Sequence, residues 1–353
     1  MSSPPLRFGL VGTGYWARTA HAPVLASTEG VELAAVWGRD PRAAAELAAG
    51  YHATPYGDIA ALLADVDGVA FAVPPDVQAP IAARAARAGK HLLLEKPVAI
   101  SEAGADELVE AAEKAQVASV VFFTLRFRPE IRAWLADVTA RGGWAGGVAA
   151  WFGSSLLESS PFNTPWRRHR GALWDIGPHV ISLLWPVLGP VMSVTADAGP
   201  ADVTHLVLHH QGGTSSMVTI TQSAGAAASG FEAYVWGEPG RSDAPAGASD
   251  PVIPLRTALT ELAGNARSGR TDHPCDVRFG RNVGRVLAEA QRQLEGRRQA
   301  DLRDLRSRSL PVVRTAPPTT DRRPLTAGDG AAGSGPPTSD GLVACAVLRW
   351  HDE

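Results

Sequence analysis

A glycine-rich turn between a strand and a helix constrains the fold of this chain most strongly. Residues 6–11 form an apolar run typical of a buried strand, residues 12–17 follow with the pattern G-x-G-x-x-A, and a helical pattern then continues to about Leu25. Gly12 permits the tight turn, Gly14 lets the backbone approach a pyrophosphate, and Ala17 permits close packing of the helix on the strand. The free N–H groups at the start of the helix would bind the phosphates. The sequence therefore predicts the first unit of a dinucleotide-binding domain.

Strand-like and helical segments alternate regularly after this turn. Strands are predicted at 31–37, 67–73, 91–94 and 118–124, and helices at 41–49, 76–88 and 101–115. Such intervals require right-handed crossover connections, so the strands would form a parallel sheet. Residues 1–124 are therefore predicted to be an α/β Rossmann domain with a parallel, doubly wound sheet.

The pattern changes near Gly146. Strands are predicted at 148–152, 191–196, 203–209, 215–221 and 231–236, and helices at 129–140, 173–188, 255–266 and 276–293. Strands separated by such short intervals indicate an antiparallel meander, so residues 125–302 are predicted to be an α+β domain. Residues 303–353 are rich in Pro, Gly, Ser and Thr, and we predict a disordered C-terminal extension there.

Composition excludes several classes of partner. The 353 residues carry a formal net charge of −3, whereas a nucleic-acid-binding surface would be clearly basic. No apolar run is long enough to span a bilayer, and the N-terminus lacks a signal-peptide pattern, so we expect a cytoplasmic protein with no membrane partner. The two cysteines, Cys275 and Cys345, have no disulfide or metal-ligand spacing, so no metal is expected.

The end of the second predicted strand bears on cofactor choice. It reads Val36-Trp37-Gly38-Arg39-Asp40, where an acidic residue at the strand end would accept hydrogen bonds from the ribose 2′-OH of NAD. Arg39 could instead pair with the 2′-phosphate of NADP, while Asp40 is better placed to cap the next helix. We predict a preference for NADP over NAD. In the alternative interpretation, Arg39 stacks on the adenine and either cofactor binds.

Two further segments contain candidate catalytic residues. Lys96, one of only three lysines in the chain, follows the predicted strand 91–94, and ligands bind at the carboxyl ends of such strands. Lys is a compact charge with an adjustable pKa, unlike Arg. Asp175 and His179 are four residues apart and would share one face of a helix. A histidine beside a carboxylate can move protons near neutral pH, although an N-terminal acidic residue and a structural histidine would give the same pattern.

Together these segments resemble the Gfo/Idh/MocA family of oxidoreductases. The resemblance extends from about Leu6 to about Leu302 and rests on Gly12-Thr13-Gly14-Tyr15-Trp16-Ala17, Ala88-Gly89-Lys90-His91 with Glu95-Lys96-Pro97, Arg126-Phe127-Arg128-Pro129, and Gly171-Ala172-Leu173-Trp174-Asp175-Ile176-Gly177-Pro178-His179. It implies that the second domain has an open, mostly antiparallel sheet and serves substrate binding and oligomerisation, as a homodimer or homotetramer. It also implies hydride transfer between a nicotinamide and a hydroxyl or carbonyl carbon of a sugar, cyclitol or related polyol.

The resemblance implies roles for individual residues as well. His179 would be the general acid/base, Lys96 would hydrogen-bond the reacting oxygen and the nicotinamide ribose, and Asp175 would hold the substrate or His179; the bond before Pro97 would be cis. Candidate cofactor-binding residues are Gly12, Thr13, Gly14, Tyr15, Trp16, Gly38, Arg39, Val73, Pro74, Glu95 and Lys96. Candidate substrate-binding residues are Arg126, Trp166 and Arg168, although a solvated basic loop would explain the segment 166–170 equally well.

Departures from the family pattern and one alternative function remain. Gln78 stands where relatives often carry His, and Ser182 replaces a frequent Asp, which makes the substrate harder to infer. The alternative to an NAD(P)-dependent dehydrogenase or reductase acting on CH–OH groups is a non-catalytic dinucleotide-binding regulatory protein of the same fold. The joint presence of Lys96, Asp175 and His179 favours the enzyme.

Overall fold

Two six-stranded sheets organise the part of the chain that the computed structural model describes, residues 4–158, 160–246 and 250–307. The first sheet has the order β3-β2-β1-β4-β5-β6, and every neighbouring pair runs parallel. Its strands are β1 (Leu6–Val11), β2 (Val31–Trp37), β3 (Thr54–Tyr56), β4 (Gly68–Phe71), β5 (His91–Leu94) and β6 (Ser119–Val121). The strand order reverses beside β1, which opens a crevice at the carboxyl ends of β1 and β4. The predicted Rossmann architecture is confirmed.

The helices of the first part of the chain follow the predicted alternation, with one addition. They are α1 (Ala22–Ser27), α2 (Pro41–Ala49), α3 (Ile59–Asp65), α4 (Pro75–Arg87) and α5 (Glu102–Ala115). As predicted, the Asp40 side chain caps α2 by accepting a hydrogen bond from the Arg42 N–H at 2.9 Å. The unit formed by β3 and α3 was not predicted, because β3 is three residues long, contains a proline and is not buried.

The second sheet is mixed, with the order β12-β11-β7-β10-β9-β8. Its strands are β7 (Trp144–Phe152), β8 (Val191–Ala198), β9 (Thr204–His210), β10 (Ser215–Thr221), β11 (Gly230–Gly237) and β12 (Gly240–Asp243). The predicted antiparallel meander is confirmed for β8, β9 and β10, whereas β10 pairs with β7 in parallel. The parallel pair arises because the chain leaves β7 through two helices and returns to the sheet at β8. The pattern of mostly antiparallel pairing implied by the resemblance is therefore confirmed.

The helix predicted at 173–188 is two helices. The helices of this part of the chain are α6 (Pro129–Arg141), α7 (Pro165–Asp175), α8 (Gly177–Leu188), α9 (Val252–Ser268) and α10 (Val277–Ser307). Helix α7 begins at Pro165, so the basic segment 166–170 is helical rather than a loop, and Gly171 kinks it with a φ of 63°. Pro178 begins α8 directly after α7 ends, which is the position that proline tolerates in a helix. Asp175 and His179 consequently lie at the junction of two helices.

The last two helices pack back onto the first sheet. The Val121 N–H donates to the carbonyl oxygen of Cys275 at 2.7 Å, and the Val277 N–H donates to Ser119 Oγ at 3.1 Å. A Cβ atom placed on Gly280 would lie 2.5 Å from Val98, so α10 approaches this region as closely as a glycine allows. These contacts hold the start of α10 against β6 and against Val98, which lies two residues after Lys96.

The described chain ends within the predicted extension. Helix α10 continues through Ser307, and residues 308–353 of the predicted extension lie outside the described residues. The assignment of domains to 1–124 and 125–302 stays a prediction. No helix within the described ranges combines the length and apolarity needed to cross a bilayer.

The glycine-rich turn yields a test of the fold. Gly12 has a φ of 130°, and a Cβ atom there would lie 2.4 Å from the Ala72 carbonyl oxygen, so Gly12→Ala should lower the free energy of unfolding by roughly 2–3 kcal/mol. A Cβ atom on Gly14 meets nothing within 4 Å, so Gly14→Ala should change it by less than about 0.5 kcal/mol. Denaturant unfolding of both variants measures the difference, and equal stability would contradict the assigned constraint.

Candidate active site

The turn that carries Lys96 is held by a buried amide. Gln78, on α4, is fully buried; its Nε2 donates to the Glu95 carbonyl oxygen at 2.8 Å and its Oε1 accepts from the Glu95 N–H at 2.8 Å. The same Nε2 lies 3.3 Å from the carbonyl oxygens of Pro97 and Val98. The peptide bond between Lys96 and Pro97 is cis, as the resemblance implied. The departure from the family pattern at Gln78 is thus a clamp on both backbone groups of the residue before Lys96.

Lys96 and Asp175 meet at the carboxyl edge of the first sheet. Lys96 Nζ lies 2.5 Å from Asp175 Oδ1 and 2.8 Å from the Asp175 carbonyl oxygen. Asp175 Oδ2 accepts a hydrogen bond from Arg167 Nε at 2.8 Å and another from Gln222 Nε2. The side chains of Lys96 and Asp175 are each 10% exposed. One buried carboxylate therefore gathers two cations and an amide.

The electrostatics of Asp175 follow from these contacts. Burial would raise the pKa of the carboxyl group, but the charges of Lys96 and Arg167, and the hydrogen bonds that they donate, outweigh it and hold the pKa well below its usual range. Asp175 is consequently an anion at any pH near neutrality, and both of its oxygens are engaged by protein groups.

His179 lies on the first turn of α8, one helical turn beyond Asp175. Its ring is buried and packs against Trp151, with ring centroids 5.5 Å apart. Burial, together with the nearby charge of Lys96, lowers its pKa well below the ordinary histidine value, and the opposing effect of Asp175 is smaller. The imidazole is therefore neutral at pH 7. Within the described residues, Asp175 makes hydrogen bonds to Lys96, Arg167 and Gln222 rather than to His179, so its contacts orient Lys96.

The glycine-rich turn lies beside this cluster. Glu95 Oε1 accepts hydrogen bonds from Trp16 Nε1 at 2.7 Å and from His21 Nε2 at 3.0 Å, which ties the helix after the turn to the end of β5. Gly38 packs against Thr13, since a Cβ atom on Gly38 would lie 2.7 Å from the Thr13 methyl group. The cofactor-binding candidates at the ends of β1, β2 and β5 therefore lie along one edge of the sheet.

These residues fit a pyridine dinucleotide. The space over Gly14 is open to at least 4 Å, which leaves room for a phosphate close to the backbone. Val73 contacts the turn, because its Cγ1 lies 3.2 Å from a Cβ atom built on Gly12, and Pro74 precedes α4. Arg39 is exposed and makes no hydrogen bond or ion pair among the described residues, so its guanidinium is available to a ligand.

An aromatic contact joins the second part of the chain to the turn. Phe162, in the connection between β7 and α7, packs edge-on against Tyr15 and Trp16, with ring centroids 5.4 and 5.9 Å apart. The Arg167 guanidinium lies 5.2 Å from the Phe162 ring centroid. Phe162 thus bridges the glycine-rich turn and the ion-pair cluster.

The three substrate-binding candidates occupy different positions. Trp166 lies beside the cluster, with Arg167 stacked over its ring at 5.8 Å. Arg168 is exposed and donates to the side-chain and backbone oxygens of Asn163 at 2.7 and 3.1 Å. Arg126 NH1 donates to the carbonyl oxygen of Ser182 at 2.9 Å, so it contacts α8 rather than Lys96 or Asp175. The role of these residues in substrate binding stays a prediction.

Two residues of the cluster were not selected from the sequence. Arg167 was included only as part of the basic segment 166–170, yet it is the arginine that reaches Asp175. Its spacing of eight residues from Asp175 gave no reliable signal, because the kink at Gly171 interrupts the helix between them. Gln222 directly follows β10 and lies 47 residues from Asp175 in sequence, and no local pattern marks it.

Comparisons with known proteins agree with this arrangement. Residues 6–123 match the family described as "Oxidoreductase family, NAD-binding Rossmann fold" (GFO_IDH_MocA), and residues 145–242 match the GFO/IDH/MocA C-terminal domain. The uncharacterized oxidoreductase YdgJ of Escherichia coli (strain K12) is 30% identical over 59% of this chain and 63% of its own length. Inositol 2-dehydrogenase of Rhizobium meliloti (strain 1021) is 29% identical over 62% of this chain and 69% of its own length.

Solved structures show the same fold. GenD2 from gentamicin A biosynthesis, in complex with NAD, is 22% identical with a TM-score of 0.72, over 83% of this chain and 95% of that one. UDP-N-acetylglucosamine 3-dehydrogenase GnnA of Acidithiobacillus ferrooxidans is 19% identical with a TM-score of 0.70, over 83% and 99%. The match to the first curated relative, YdgJ, covers less than two thirds of that protein. Both family matches and the shared fold lead to one conclusion: the chain belongs to the GFO/IDH/MocA family of oxidoreductases.

Proposed function

We propose that this protein is an NAD(P)-dependent oxidoreductase that interconverts a hydroxyl and a carbonyl carbon of a sugar, cyclitol or related polyol. One observation carries the proposal: Lys96, fixed by Asp175, lies with the neutral His179 at the carboxyl edge of a Rossmann sheet, beside the open glycine-rich turn. The names of two relatives, inositol 2-dehydrogenase and UDP-N-acetylglucosamine 3-dehydrogenase, support the substrate class.

The residues divide the chemistry between them. A nicotinamide cofactor supplies the hydride acceptor or donor when it is bound. His179, neutral and nearly buried, accepts the proton of the substrate hydroxyl during oxidation and returns it during reduction. The Lys96 ammonium stabilises negative charge on the reacting oxygen, and Asp175 holds that ammonium in place.

Residues at the carboxyl edge of the first sheet support binding of the dinucleotide there. The open space over Gly14 and the left-handed turn at Gly12 support binding of the pyrophosphate there. The exposed Arg39 supports a contact with a 2′-phosphate, and we propose NADP as the preferred cofactor on that ground. A cytoplasmic setting agrees with Cys275, which is a buried free thiol.

We also propose that the protein is a homodimer or homotetramer that pairs through the outer face of the second sheet. Met217 and Trp236 are 59% and 49% exposed. Met217 pairs with Val148, which pairs in turn with Tyr234, and Trp236 is two residues further along β11, so all four share one face. Large apolar side chains exposed on one sheet face, here Met217 and Trp236, favour a protein partner.

The oligomer is tested by placing a charge on that face. Met217→Lys should reduce the molar mass measured by size-exclusion chromatography with light scattering, since a buried unpaired charge disfavours association. Ile253→Lys is the matched control, because Ile253 is 53% exposed on α9, away from the sheet. Equal masses for the wild type and the Met217 variant would contradict the interface.

The role of His179 is tested by its removal. His179→Ala should lower kcat by roughly 10²–10⁴-fold, the contribution of a general acid/base, while the Kd for the reduced cofactor stays nearly the same. His52→Asn is the control, because His52 is exposed and asparagine tolerates its φ of 57°. Undiminished turnover in the His179 variant would remove it from the mechanism.

The pH dependence of oxidation is a third test. Oxidation requires neutral His179. Because burial lowers the pKa of His179 well below 6.5, the imidazole is still neutral when the pH has fallen to 6.5. The kcat/KM for the alcohol should therefore stay level as the pH falls from 8 to 6.5 and decline only at lower pH. An acid limb centred at or above pH 6.5, in rates measured at saturating cofactor, would show an unshifted or different base.

Cofactor choice is tested at Arg39. Arg39→Asp should shift the ratio of kcat/KM values towards NAD, because the carboxylate repels a 2′-phosphate and accepts hydrogen bonds from a 2′-OH. Arg42→Asp is a control for charge alone, since Arg42 is also exposed and lies on the first turn of α2. An unchanged NADP/NAD ratio in the Arg39 variant would dismiss the contact.

A further inference from the structure

The buried cluster holds more positive than negative charge. Lys96 and Arg167 both bond to the one carboxylate of Asp175, and their side chains are only 10% and 23% exposed. The charged groups acting on His179, which is itself neutral, are Lys96, Asp175 and Arg167. The cluster therefore carries a net charge of one positive unit. A partly buried charge without a counter-ion is costly, so this site favours a ligand that brings an anion.

Glu95 does not serve as that counter-ion through direct contact. Its carboxylate accepts hydrogen bonds from Trp16 and His21, and it bonds to neither cation of the cluster among the described residues. Glu95 therefore supplies neither Lys96 nor Arg167 with a second counter-ion by direct contact.

Arg167 retains unused hydrogen-bonding capacity. Its Nε donates to Asp175 at 2.8 Å, its NH1 makes a long contact of 3.4 Å with the Phe162 carbonyl oxygen, and its NH2 makes no hydrogen bond among the described residues. The guanidinium carbon lies 5.2 and 5.8 Å from the ring centroids of Phe162 and Trp166, so the two aromatic rings limit where the guanidinium can move. A planar fork held in this way matches the two oxygens of a carboxylate.

Unpaired polar atoms surround the same cluster. Among the described residues, Trp166 Nε1 is a buried donor without an acceptor, and Gln222 Oε1 is a buried acceptor without a donor. Buried polar atoms are nearly always paired in native proteins, so these two indicate groups that a ligand supplies. Trp166 requires an acceptor beside Arg167, and Gln222 requires a donor such as a hydroxyl.

We propose that the substrate is a polyhydroxy acid, whose carboxylate accepts hydrogen bonds from Arg167 and Trp166 while one of its hydroxyls reacts at Lys96 and His179. The two cations bond to the two oxygens of one carboxylate, so they are close enough for one small molecule to reach both. A second substrate hydroxyl donates to Gln222. This inference rests on the proposed function and narrows its substrate class to sugar acids.

Matched pairs of substrates test the inference. Initial rates with NAD⁺ and with NADP⁺ are compared for D-glucose against D-glucuronate, D-galactose against D-galacturonate, and D-glucitol against D-gluconate. The acid of at least one pair should have a kcat/KM about 10–10²-fold higher, the fold-change expected for hydrogen bonds to a charged group. Neutral members that match or exceed their acids in every pair, with turnover intact, overturn the inference and leave the proposed function standing.

Variants of Arg167 supply the second arm. Arg167→Gln should bring the acid-to-neutral ratio of kcat/KM close to one, and Arg167→Lys, which keeps the charge but loses the fork, should lower it about tenfold through KM. Arg170→Gln is the matched control on the same helix; Arg170 stacks on Trp174 at 5.4 Å, and its loss should leave the ratio unchanged. Circular dichroism establishes that each variant is folded, and an unchanged ratio in both Arg167 variants overturns the assignment.

Calorimetry separates the two proposals. Titration of D-glucuronate, D-galacturonate and D-gluconate into the wild type and Arg167→Gln, with and without NADH or NADPH, should show binding of at least one acid that weakens about tenfold or more in the variant. Absence of cofactor binding would overturn the proposed function, whereas acid binding that depends on Arg167 would still support the anion site. Absence of binding of every acid, with cofactor binding intact, overturns the anion site alone.

Discussion

The ion pair between Lys96 and Asp175 is the interaction on which the site depends. The two residues are 79 positions apart, one after the last residues of β5 and the other at the end of α7, and their contact joins the parallel sheet to the helices of the mixed sheet. Removing Asp175 would leave both cations without their shared counter-ion, and breaking a buried pair in this way costs about 3–5 kcal/mol. Since Arg167 shares the same carboxylate, the geometry of both cations is set by Asp175.

The fold was predictable where local pattern and tertiary structure agree. The alternation of apolar runs and helices up to residue 124 gave the parallel sheet, because buried parallel strands are continuous apolar runs. The short unit of β3 and α3 escaped prediction because β3 lacks such a run. The parallel pairing of β7 with β10 also escaped prediction, since it depends on where the chain returns after α8 and not on the sequence of either strand.

The site, like the fold, was predictable only in part. Lys96, Asp175 and His179 were identified from strand position, helical spacing and family resemblance, and the structure brings them together. The contacts of Asp175 with Arg167 and Gln222 were not identified, because the partners come from a kinked helix and from the end of a distant strand. The kink at Gly171 sets the direction of the preceding arginines. In the sequence it is indicated only by the presence of a glycine.

The clamp formed by Gln78 has a consequence for how the protein responds to acid. A carboxamide offers one donor and one acceptor, has no proton to gain or lose in the physiological range, and here engages both backbone groups of Glu95. A histidine in its place would change its bonding pattern on protonation, and the loop before Pro97 would then respond to acidification. With an amide there, the two bonds between Gln78 and the Glu95 backbone do not depend on proton concentration, and acidification acts on the His179 imidazole without altering them.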